Sequence, residues 1–118
     1  MKKDAYLEKA VVWANNKSTI SFKSISKGYE SPRIFTSKTT HEEIQADLSF
    51  VTHGGVKHYS VIALKNENQK KTVAKWKVLS FLASIKRGRL HLLAPHGHKA
   101  YAEKLVDTHN IDAIIHAL

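Results

Sequence analysis

The sequence predicts an α/β fold in which helices flank a mixed β-sheet. Three observations lead there. Between Ile44 and Lys65, two strand-like runs bracket a turn at His53-Gly54-Gly55, and a glycine pair between such runs is a strong hairpin signal. The chain then alternates helical and strand patterns, which implies strands paired through helical crossovers. At 118 residues it is long enough to bury a core but short for two, so a single domain over 1–118 is expected. The element order reads α-β-β-β-α-β-α-β.

Taken in order, Ala5, Leu7, Ala10, Val11 and Ala14 recur at helical spacing, with Asp4 as N-cap and Asn15-Asn16-Lys17-Ser18 as the stop. Thr19 to Ser26 alternates as a strand. Lys27 to Thr40 is the longest irregular stretch, with a short strand at Arg33–Thr36 as its one regular option. Ile44, Ala46, Leu48 and Phe50 alternate with polar neighbours, which puts Asp47 on the face away from them. Tyr59 to Leu64 forms the hairpin's return strand, with Ala63 and Lys65 on one side. Asn66-Glu67-Asn68-Gln69 offers caps for a helix from about Lys70 to Lys86, whose expected buried stripe is Val78, Leu82 and Ile85 flanked by Leu79 and Ala83, and Gly88 ends it. Leu90–Ala94 reads as a short buried strand closed by Pro95. A helix over Gly97–His109 and an edge strand around Ile114-Ile115 complete the chain.

Composition narrows the chemistry. With no cysteine, disulfides, thiolate metal sites and thiol nucleophiles are excluded. No apolar run reaches the roughly 18 residues of a membrane span, and MKKDAYLEK lacks a signal-peptide core, so a cytoplasmic protein is expected. The net charge of +9 is concentrated: Lys65 to Lys104 holds ten Lys/Arg against Glu67 and Glu103. Such a segment is either a solvated surface or the footprint of a polyanion, most simply nucleic acid.

Lys70, Lys71, Lys75 and Lys77 crowd the first turns of their helix. Cations there oppose the helix dipole, by some tenths of a kcal/mol per charge, but suit a bound phosphate. Lys71, Lys75 and Lys77 are therefore the candidate nucleic-acid contacts. Trp76, among them, is a base-stacking platform or, more simply, core. Trp13 is expected in the core. His96 and His98 flank Gly97 without further spaced ligands, which favours capping or surface roles over a metal pair. Eight histidines make the chain more cationic below about pH 6.5.

This element order, with an acid on the first helix (Glu8), an aspartate on the hairpin's first strand (Ala46-Asp47) and a lysine closing its second (Ala63-Leu64-Lys65), resembles the PD-(D/E)xK nuclease superfamily over Leu7 to Ile115. The resemblance implies a restriction-endonuclease-like core, and, if the site is active, Mg²⁺-dependent phosphodiester hydrolysis. Asp47 would then hold the metal with Glu8 or Glu67, and Lys65 would position the attacking water. The partner expected is nucleic acid, DNA ahead of RNA, and the resemblance implies a homodimer as the working form. The departure is Ala63, which stands where the superfamily carries its second strand-borne acid. Mg²⁺ needs hard oxygen ligands, and a methyl group supplies none. Glu8, Glu43 and Glu67 are the substitutes within the sequence. The expectation is a nuclease-like nucleic-acid-binding protein with a degenerate catalytic site; the alternatives are an active endonuclease with a substitute acid and a non-enzymatic dimeric interaction module.

Overall fold

The computed structural model describes residues 2–17, 21–36, 38, 41–65 and 68–118. Its elements are α1 (Lys2–Asn15), β1 (Ser21–Ser24), β2 (Ile34–Thr36), β3 (Glu43–Gln45), β4 (Leu48–Thr52), β5 (Val56–Ile62), α2 (Gln69–Ile85), β6 (Leu90–Ala94), α3 (Lys99–Thr108) and β7 (Ala113–Ala117). Five strands form one mixed sheet in the order β1-β4-β5-β6-β7, and β2 and β3 form a separate antiparallel pair. The first three neighbours pair antiparallel and the last three parallel, so the sheet changes character at β5.

The hairpin is built as its residues dictate. Thr52 pairs with Val56, leaving His53-Gly54-Gly55 as the loop. Gly54 and Gly55 hold φ of 85° and 75°, a region that glycine enters without steric cost. The parallel half follows from the crossover helices. Both α2 and α3 pack on one face, where Val73, Trp76, Leu79, Ala102 and Leu105 meet Tyr59, Val61, Leu90 and Leu92. On the other face, Leu7, Ala10, Val11 and Ala14 of α1 cover Leu48, Phe50, Ile62 and Leu93. Two cores thus share one sheet, and alternate strand residues feed each.

Four expectations are corrected. The helix starts at Lys2, so Asp4 lies inside its first turn and is not the N-cap. The strand expected from Ile44 to Val51 is broken at Ala46-Asp47. That break turns Ile44 and Ala46 towards α2 while Leu48 and Phe50 face α1, so these residues do not share a face. In α2 the buried stripe is Thr72, Val73, Trp76, Leu79 and Ala83, and Ile85 is exposed. Trp76 is the reason: the largest side chain of the helix is 1% exposed, and seating it rotates Ile85 outward. Trp13 is only half-buried, against Phe50, His91 and His116. Part of the stretch from Lys27 to Thr40 does form a strand, with Phe35 paired to Ile44 and edge-on to Tyr59. No helix among the described residues is long and apolar enough to cross a membrane.

Candidate functional site

Asp47 sits in the break between β3 and β4, 2% exposed. Its backbone is held on both sides: its N–H donates to the Ser60 carbonyl (3.1 Å), and its carbonyl accepts from the Ile25 N–H (3.0 Å). Its carboxylate Oδ2 accepts from the Ile62 N–H at 2.8 Å, and Oδ1 lies 4.0 Å from Lys75 Nζ. A buried carboxylate needs such partners, because desolvating an unpaired charge costs several kcal/mol. Asp47 therefore joins the start of β4 to the end of β5 and to α2.

The neighbouring positions resolve differently. Ala63 is fully buried, in the core cluster with Ala46, Val73 and Trp76. Lys65 is exposed just beyond β5, and its backbone N–H donates to His98 Nδ1 at 3.0 Å, which ties the exit of β5 to the start of α3. Glu8 is exposed on α1, the helix of the opposite face, where it lines a depression of about 540 Å³ with Leu7, Val11, Ile25, Ser26, Lys27 and Tyr29. Glu67 lies outside the described residues. Asp47 and Glu8 thus belong to different layers. No group of three histidine, aspartate or glutamate side chains among the described residues is arranged to hold a metal ion.

As placed, the described residues of this set do not fit a magnesium ion. One Asp47 oxygen accepts an amide proton, the other faces an ammonium group, and position 63 offers a buried methyl. Glu43, the other described substitute, lies beside Lys71 and Lys75 in a shared depression that also includes Glu42.

The basic residues of α2 are more organised. Asn68 is its N-cap, accepting from the Lys71 N–H at 3.1 Å, and the first turn contains no acid. Lys71 and Lys75, one turn apart, line two adjoining depressions of about 240 and 220 Å³, the first with Glu42, Glu43 and Ile44, the second with Asn68 and Thr72. Lys77 is not part of this pair: it lines a separate depression with Ser80, Phe81 and Asp112. The α3 helix begins at Lys99 behind His98, which stands at the N-cap position without a side-chain capping bond. Both helices emerge where the parallel strands β5 and β6 end, the edge at which open α/β sheets gather ligands.

A second cluster was not legible in the sequence. His58, His91 and His116, on adjacent strands β5, β6 and β7, form a hydrogen-bonded ladder on the α1 face. His91 Nδ1 lies 2.9 Å from His116 Nε2, and His91 Nε2 lies 3.0 Å from His58 Nδ1. Phe50 stacks on His58, and Trp13 tilts over both His91 and His116. Burial, then the neighbouring histidines, Lys17 and Arg89, push His91 from 6.5 down to about 3. Burial also lowers His58 and His116. The only sequence signal was His91 within one strand pattern and His58 and His116 beside two others, and cross-strand register is what joins them.

Comparison of the chain with protein-family models, with curated proteins and with solved structures found no match. What the structure defines, among the described residues, is an α/β fold with a mixed five-stranded sheet, three helices and a lysine-rich sheet end.

Proposed function

We propose that this chain is a nucleic-acid-binding protein with a restriction-endonuclease-like layout, which holds backbone phosphates at the carboxyl end of β5 and β6. Asp47 serves the fold there, and phosphodiester hydrolysis has been lost with the acid at position 63. The observation that carries this reading is the pairing of Lys71 and Lys75 on the first turns of α2, with no acid in the opening turn. The amino end of α2 and the Lys71 ammonium then address the same anion, with the Lys75 ammonium shared between it and Asp47. Lys65 and Lys99 flank them at the ends of β5 and the start of α3, which extends the cationic line along a phosphate backbone. Glu42 and Glu43 border the pair and favour a partner that approaches from the Asn68 side. Mg²⁺ has no role in this binding mode.

The test is anisotropy of labelled duplex and single-stranded DNA across a salt series. Four phosphate contacts would lower duplex affinity by about 100-fold between 50 and 200 mM salt. Lys71→Glu with Lys75→Glu should weaken binding at least tenfold and flatten that slope. Unchanged affinity in the double variant would overturn the proposed phosphate face.

One observation favours a second reading, an interaction module that pairs with another copy of itself. Phe81 and Ile85, one turn apart on α2, are 65% and 57% exposed, and adjacent apolar side chains of this size often mark a contact surface. Dimerisation that Phe81→Ser abolishes, with no DNA binding at physiological salt, would select it.

A further inference from the structure

We propose that the His58–His91–His116 ladder is an acid-operated latch that holds α1 on the sheet while its rings are neutral and releases it when they take up protons. The inference is independent of any nucleic-acid partner.

The hydrogen bonds assign the protons. The Arg89 backbone N–H donates to His58 Nδ1 at 3.3 Å, so that nitrogen is bare. His91 must then carry its proton on Nε2, the nitrogen facing His58. A neutral His91 has a bare Nδ1, which requires the proton of His116 on Nε2. All N–H bonds of the ladder thus point from β7 towards β5. A proton added to His58 Nδ1 would face two donors at once, the Arg89 amide and His91 Nε2. A proton added to His91 Nδ1 would face the N–H of His116. Only the outer nitrogen of His116 accepts a proton without breaking the chain.

The same geometry argues against a metal triad. His91 presents a different nitrogen to each neighbour, so the three rings do not converge on one point, and no such group is found among the described residues.

The surroundings oppose charge as well. From the turn after α1 the ladder faces Lys17, whose Nζ lies 5.1 Å from the Trp13 ring centre, and from the segment before β6 it faces Arg89. Asp112, at the start of β7, is bound by Arg89 at 2.7 Å. From β4 it faces the Phe50 ring. A protonated ladder would thus place new cations between two existing ones, beneath the aromatic side chain that anchors the last turn of α1. Release of α1 uncovers Leu48, Phe50, Ile62 and Leu93, an apolar face fit to bind an amphipathic segment.

The experiment is amide exchange of the intact chain from pH 7.5 to 4.0, corrected for intrinsic rates. The α1 amides should lose at least tenfold of their protection between pH 6.5 and 4.5 and be unprotected at the lower pH, while α2, weakened with the fold as a whole, stays protected. His91→Gln supplies the same donor and acceptor as the neutral ring but takes up no proton. It should lower the α1 midpoint by one pH unit or more. Complete loss of protection in α1 and α2 at the same pH, or superimposable α1 curves for the wild type and His91→Gln, would overturn the latch. If that variant does not fold, imidazole ¹⁵N spectra of the wild type decide: Nε2–H on neutral His91 and His116 at pH 7 supports the assignment, and any other tautomer refutes it.

Discussion

Replacing Asp47 separates a structural carboxylate from a catalytic one. In Asp47→Ala the Ile62 N–H, buried beside β4, loses its 2.8 Å acceptor. An unsatisfied buried amide costs about 1–3 kcal/mol, and bonds to a charged group lie at the upper end. The Lys75 ammonium, one-quarter exposed and 4.0 Å away, adds little because water reaches it. The expected loss is therefore about 3 kcal/mol. With unfolding entropy near 2.1 cal/mol/K per residue, a chain of 118 residues drops about 4 °C per kcal/mol, so Tm should fall by about 12 °C. Asp47→Asn keeps an amide oxygen as acceptor and should cost about 1 kcal/mol, or about 4 °C. Urea and thermal unfolding followed by circular dichroism read both. An Asp47→Ala protein that melts within about 2 °C of the wild type would refute the reasoning, because the carboxylate would then be dispensable to the fold and free for chemistry.

Other outcomes follow from the same structure. Supercoiled plasmid incubated with Mg²⁺ or Mn²⁺ should be bound but not cut; cutting that disappears in Asp47→Asn would restore the endonuclease reading. Gly88→Ala should destabilise by about 3 kcal/mol or more by urea titration, since its Cβ would overlap the Lys57 carbonyl oxygen and only the backbone can yield. Stability should also fall in acid. His91 is neutral in the fold with its pKa lowered from 6.5 to about 3, so the unfolded chain takes up the proton first. The stabilisation is whole above about pH 6.5 and lost as the pH falls towards about 3. At 1.36 kcal/mol per unit this shift corresponds to about 4–5 kcal/mol, reduced to about 2–3 by water at the ladder's open ends. Urea midpoints that stay flat between pH 7 and 4.5 would contradict it.

Much of the layout was legible in the sequence because it rests on local rules. Gly54-Gly55 forms the hairpin loop, since glycine alone takes both positive φ angles without strain. The pattern at Leu90–Ala94 marks a strand buried on both faces, and the lysines before Trp76 do sit at a helix start. What sequence could not decide was rotation and register. Whether Val78 or Leu79 faces the sheet depends on where Trp76 finds room, and that room is made by Tyr59, Val61 and Leu92 on three-dimensional neighbours. The break at Ala46-Asp47 exists because the Asp47 side chain replaces a backbone acceptor for Ile62, fifteen residues away in the chain. The histidine ladder needs two parallel registers at once, with Ser60 opposite His91 and Leu93 opposite His116. Periodicity sets which residues can form an element. Only packing between elements sets which of their side chains meet, since that choice minimises empty volume and unpaired polar groups over the whole chain.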